Sequence, residues 1–279
     1  MCDSGVLCTT KSLFMKKLLS IIGLSALLFT SCSKDKDAIT LQGEGKVTLT
    51  MDAVFGNQDF ALNKDFKSSG ITYNFTKFRY WLSNVVLVSA TGQEVKISGS
   101  YYLMEETGEI KLTGVNNDLP TTIYPATKRE NVVLKEIPAG NYKSIKFSVG
   151  IDQKYNDNMS LQSGELSQLN GMTNVSWMWL TSYIFTSAAG KVSDGTTTKN
   201  MLLETGLNAN YKTIALDLPK SLNVSASESA SIVVNADLSK VADGIDVMTN
   251  PVVGASKATV MAAVANNYAT KVFTVKSVN

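Results

Sequence analysis

Hydrophobic residues recur at every second position through much of the chain beyond residue 45. From Lys46 to Val54, Val47, Leu49, Met51 and Ala53 alternate with Thr48, Thr50 and Asp52. That period of two marks a strand with one buried face. Asn74 to Val88 is rich in aromatic and β-branched residues. A Thr91-Gly92 turn separates it from a short strand at Glu94 to Ile97, and another follows at Tyr101 to Met104. Asn131 to Ile137 is closed by the turn Pro138-Ala139-Gly140-Asn141, after which Tyr142 to Val149 alternates again through Ile145, Phe147 and Val149. Ser182 to Ser187 and Lys199 to Leu203 flank a polar Gly/Ser/Asp/Thr stretch and read as a hairpin with a long tip. Thr213 to Leu218 and Ser231 to Ala236 are further strands. Only near the end does the period change: Val260, Met261, Val264 and Tyr268 follow helical spacing between Ala258 and Tyr268, with no Pro or Gly inside. Many short strands between turn signals predict an all-β fold, a sandwich of mainly antiparallel strands with long loops and a short C-terminal helix. No internal repeat and no shift in composition divides residues 46–279, which are expected to form one domain.

The beginning of the chain has a different pattern. Met15-Lys16-Lys17 is basic, and Leu18 to Phe29 is almost wholly apolar. That is the layout of a secretory signal, and the run falls short of the roughly 20 apolar residues a membrane span needs. The signal ends in Leu28-Phe29-Thr30-Ser31-Cys32, which resembles the lipobox of bacterial lipoproteins, in which the cysteine is acylated and becomes the new N-terminus. Residues 1–31 are therefore expected to be a leader (with 1–14 ahead of a better start at Met15), Cys32 a lipidation site, and residues 32–45 a polar tether. Ser33-Lys34-Asp35-Lys36-Asp37 resembles the charged run that sends some Bacteroidetes lipoproteins to the cell surface. An outer-membrane lipoprotein follows, on the periplasmic or the surface side, with its lipid as the membrane partner.

Cleavage before Cys32 changes the charge. The chain has 26 Lys and Arg against 24 Asp and Glu; the leader holds Lys11, Lys16, Lys17 and Asp3, so the remainder is balanced. A balanced chain without a clustered basic face predicts no nucleic-acid partner. Cys2 and Cys8 leave with the leader, so no disulfide is expected. The chain has no His. Its absence removes Ser-His-Asp and Cys-His nucleophilic schemes and every His-ligated metal site. With no paired-carboxylate motif, phosphate loop or nucleophile elbow either, the chain is expected not to be an enzyme.

Four segments carry a family resemblance. They are Phe78-Arg79-Tyr80-Trp81-Leu82-Ser83-Asn84-Val85 with Tyr102-Leu103; Ile137-Pro138-Ala139-Gly140-Asn141-Tyr142 running into Phe147-Ser148-Val149-Gly150-Ile151-Asp152; Gly171-Met172, Trp177-Met178-Trp179 and Tyr183-Ile184; and Val247-Met248 with Asn266-Asn267-Tyr268 and Phe273. In this order they resemble the MbnP-like family, named for a copper-binding protein associated with methanobactin. The resemblance implies an extracytoplasmic β-rich binding protein with a copper site in which a Trp can be oxidised to kynurenine. The sequence departs from the family where His residues are expected: the first strand offers Asp52, and Leu203-Glu204-Thr205-Gly206 has Glu204 in place of a His. Imidazole is the ligand best suited to copper in such a setting.

Metal candidates are accordingly Met172, Trp177, Trp179 and Glu204. Trp177 and Trp179 would share one face of a strand, with Met172 as a thioether suited to Cu(I); equally, they fill a sandwich core. Glu204 is either a carboxylate replacing an imidazole or the outward residue of an edge strand. Asp152, Asn156, Asp157 and Asn158 form an oxygen-rich loop with the elements of a Ca²⁺ site or of ordinary Asx turns. The stripe on the 258–268 helix offers either a partner-binding face or packing across the end of the sandwich. Two functions follow: a lipid-anchored binding protein for a metal or small molecule, or a structural or adhesive surface lipoprotein without metal.

Overall fold

The computed structural model describes residues 43–112, 122–174 and 182–279. Two β-sheets face one another, as the alternation predicts. The smaller sheet runs in the order Asn131–Pro138, Glu44–Phe55, Ala230–Asp237, Phe273–Val278. Its pairings are antiparallel except at the centre, where strand 44–55 runs parallel to 230–237. The larger sheet runs Lys212–Val224, Gly140–Val149, Ile71–Ser89, Ser182–Ser193, Thr198–Gly206, Val252–Val253. The 19-residue strand 71–89 is its spine. Along one edge it pairs with 182–193 and then with 140–149; along the other it pairs with Asp65–Ser68, Tyr101–Thr107 and Glu94–Lys96.

The main core lies between the sheets. Val47, Leu49, Met51, Ala53 and Phe55 enter it from one side, and Phe75, Phe78, Tyr80, Leu82, Val85 and Leu87 from the other. The strict in-out pattern of strand 44–55 is the alternation of its sequence made structural. The helix spans Ala258–Thr270 and packs against strands 198–206 and 212–224, burying Met261, Val264, Ala265, Asn267 and Tyr268. Its stripe therefore serves packing. This 13-residue helix is too short to cross a membrane, and no helix among the described residues is long and apolar enough to do so.

Two extents differ from expectation. The 182–206 hairpin has a short tip, Asp194–Thr197, with the Asp194 carboxylate accepting from the amides of Thr196 and Thr197. Ala188-Ala189-Gly190 has little intrinsic strand preference, but pairing on both edges overrides that. Gly190 has its own reason: a Cβ there would lie 2.0 Å from the Asn74 carbonyl oxygen, where the ladder shifts register. Strand 212–224 also runs past Pro219, which is tolerated because this strand is the sheet's edge.

Leu49 is fully buried in the main core. Leu49→Ala is expected to lower stability by about 2–5 kcal/mol, seen as a fall in the urea midpoint at unchanged slope.

Candidate functional site

Strand 71–89 builds two faces. Phe78, Tyr80 and Leu82 enter the main core, so Arg79, Trp81 and Ser83 point the other way, onto the outer face of the larger sheet. Part of that face is covered by residues 151–172. Beneath the cover lies a second apolar cluster: Trp81, Tyr101, Leu103, Ile151, Met159, Leu166, Met172, Tyr183 and Phe185. Trp81 meets Tyr183 edge to face at 5.9 Å. Among the described residues, the buried Trp81 indole nitrogen and Tyr183 hydroxyl have no hydrogen-bond partner.

Beside this cluster runs a polar row. Arg129 lies opposite Glu105, Glu105 opposite Arg79, Arg79 opposite Ser187, and Ser187 opposite Glu204. Directly opposed residues share a face, so one row crosses five strands. At its centre Arg79 is fully buried, and its Nε donates to Glu105 Oε2 at 2.7 Å. Its Nη2 donates to the Asn170 carbonyl at 2.6 Å. The other oxygen of Glu105 accepts from Tyr124 Oη at 2.5 Å, and the guanidinium lies 4.7 Å from the Tyr124 ring centre. Burial, and secondly the bond to Glu105, raise the Tyr124 phenol above its ordinary pKa. Among the described residues, buried Arg79 Nη1 has no hydrogen-bond partner.

Gly171 shapes the space around that nitrogen. It closes the turn Gln168–Asn170 in the left-handed region at φ 71°. A Cβ would come within 2.8 Å of Leu112 Cδ2 and 3.6 Å of Arg79 Nη1. Glycine thus serves both the turn and the close approach. Leu169 and Ile123, the sequence neighbours of Asn170 and Tyr124, are among the few large apolar side chains exposed, at 76% and 53%.

The residues singled out from the sequence scatter relative to this row. Glu204 ends it: its Oε1 accepts from Ser187 Oγ at 2.9 Å, with Lys77 Nζ at 4.0 Å. Burial lowers the Lys77 ammonium below its ordinary value, against the pull of Glu204. Met172 is fully buried in the second apolar cluster. Trp177 and Trp179 lie outside the described residues, as does Cys32. Asp52 is paired with Lys276 at 2.5 Å on the smaller sheet. The side-chain oxygens of the 152–158 loop are engaged by the chain: Asp152 accepts from Asn84 and Tyr101, Asn156 Oδ1 from the Tyr183 amide, Asp157 from Asn208, and Asn158 from Ser160. Among the described residues no group of three His, Cys, Asp or Glu gathers to hold a metal. Sequence reasoning missed Arg79 and Glu105 as a pair; a charged residue amid Phe78, Tyr80, Trp81 and Leu82 was the available signal.

The family model described as MbnP matches residues 44–261. Among solved structures, MbnP from Methylosinus trichosporium is similar at 15% identity, over 69% of this chain and 76% of that one, with a TM-score of 0.43. No curated protein sequence matches the chain.

Removing one member of the buried pair leaves an uncompensated charge. Arg79→Met is expected to cost about 3–5 kcal/mol in urea unfolding, and Arg79→Met combined with Glu105→Leu distinctly less than the sum of the single changes.

Proposed function

Because the chain belongs to the MbnP family, we propose that it is a lipid-anchored binding protein acting outside the cytoplasm, with its recognition centre at the Arg79–Glu105 row. One observation carries this reading: a fully buried guanidinium on the outer face, away from the core, has one nitrogen with no partner among the described residues. A buried unsatisfied donor costs about 1–3 kcal/mol, more when charged. A ligand oxygen at that nitrogen would recover the loss. Glu105 already balances the charge of Arg79, so a neutral carbonyl suits the position as well as a carboxylate does.

Copper fits the described residues poorly. Those residues include no imidazole and no thiol. Met172 is enclosed by Trp81, Tyr183 and Phe185, and Glu204 is already engaged by Ser187. These groups suit packing and hydrogen bonding better than soft-metal ligation. Anchoring and location rest on the leader: a short basic segment, an apolar run and small residues before Cys32.

Two measurements test the reading. With the processed chain carrying Cys32→Ser, competitive Cu(I) titration is expected to show no tight stoichiometric site; stoichiometric binding lost on Met172→Leu or Glu204→Gln would restore the copper function. In cells, metabolic labelling with a palmitate analogue is expected to mark the full chain and to vanish in Cys32→Ser. Equal labelling of that variant would refute the anchor.

A further inference from the structure

The main core comes to the surface, incompletely covered, at one end of the sandwich. A pocket of about 410 Å³ opens there, lined by Ser68, Ser69, Ile71, Tyr73, Ser239 and the segment 242–247. Its volume falls within the roughly 300–1,000 Å³ of small-molecule sites. Ile71, Tyr73, Ala242 and Ile245 pack against the core yet stay partly exposed. Tyr73 lies parallel to Phe75, with ring centres 6.0 Å apart, and also borders the pocket. The lining segment 239–247 is braced by hydrogen bonds. Asn267, buried on the helix, donates to the carbonyls of Val241 and Asp243 at 3.0 and 2.9 Å. Asp237 caps the turn Leu238–Lys240, and Asp246 accepts from the amides of Met248 and Thr249.

The polar groups narrow the ligand. Three hydroxyls (Ser68, Ser69 and Ser239) line it, and each can both donate and accept. The acids do not make a cation site. Asp243 is paired with Lys271 at 2.7 Å, Asp246 spends both oxygens on its own turn, and Lys199 reaches the adjacent Met248 carbonyl. Hydroxyl-rich recognition beside an aromatic and aliphatic wall matches a saccharide ring. Its apolar face would meet Tyr73 and Ile71, and its hydroxyls would meet the serines. We infer that this pocket is a binding site for a neutral saccharide, separate from the Arg79–Glu105 row.

The test is amide NMR of the processed chain carrying Cys32→Ser, titrated with glucose, galactose, mannose and N-acetylglucosamine, with phenethylamine and glucuronate as charged controls. At least one neutral sugar should give saturable shifts confined to residues 68–73 and 239–247, with a Kd on the order of 1 mM. Ala242→Trp, placed at the partly exposed rim to fill the pocket, should abolish them while the rest of the spectrum is kept. Tyr73→Leu should weaken binding at least about tenfold. The inference is overturned if no neutral sugar gives saturable shifts in these segments. It is also overturned if the shifts survive Ala242→Trp, or if either charged control binds more tightly than every neutral sugar.

Discussion

The outer face of the larger sheet is organised around one ion pair taken wholly out of water. Arg79 and Glu105 lie opposite one another on adjacent strands, and each also bonds a different covering segment: Arg79 the Asn170 carbonyl, Glu105 the Tyr124 hydroxyl. Desolvating two charges costs several kcal/mol per ion, and close contact with further hydrogen bonds is needed to offset it. The pair therefore constrains its surroundings. The turn 168–170 must present a carbonyl, Gly171 must leave room above Nη1, and Tyr124 must lie against the guanidinium. The second apolar cluster seals the neighbouring part of the same face.

Both layers depend on strand 71–89. Its inward set changes phase between Phe75 and Phe78, next to the register shift at Ala189/Gly190. Without that irregularity Phe75 and Phe78 would point to opposite faces, and the strand's apolar set would be split between core and solvent. The irregularity thus sets both the core and the site.

Most of the architecture was legible from periodicity. Strand 44–55 and the 258–270 helix stand where alternation and helical spacing place them, because one face of each is buried. The inner part of the 182–206 hairpin was obscured, since Ala188-Ala189-Gly190 takes its strand conformation from neighbours on both edges rather than from propensity. The site was less legible still. Arg79 and Glu105 are 26 residues apart, and only cross-strand register brings them together. Met172 could be read as a thioether ligand or as a gap filler; the structure encloses it in an aromatic cluster. Trp81, which anchors that cluster, was visible only as one of several aromatics in a strand. The absent histidines were the most informative feature of the sequence, because a donor set without imidazole directs attention from metal ligation toward hydrogen bonding.

The central claim is that a buried, charge-balanced guanidinium on the outer face holds one nitrogen ready for an acceptor. A crystal structure of the processed chain, at a resolution that shows ordered solvent, tests it most directly. The account predicts an intact Arg79–Glu105 pair, with a water or ligand oxygen about 3 Å from Nη1 beneath Gly171. A guanidinium turned to solvent with the pair broken, or an Nη1 satisfied by the chain's own carbonyl, would contradict it.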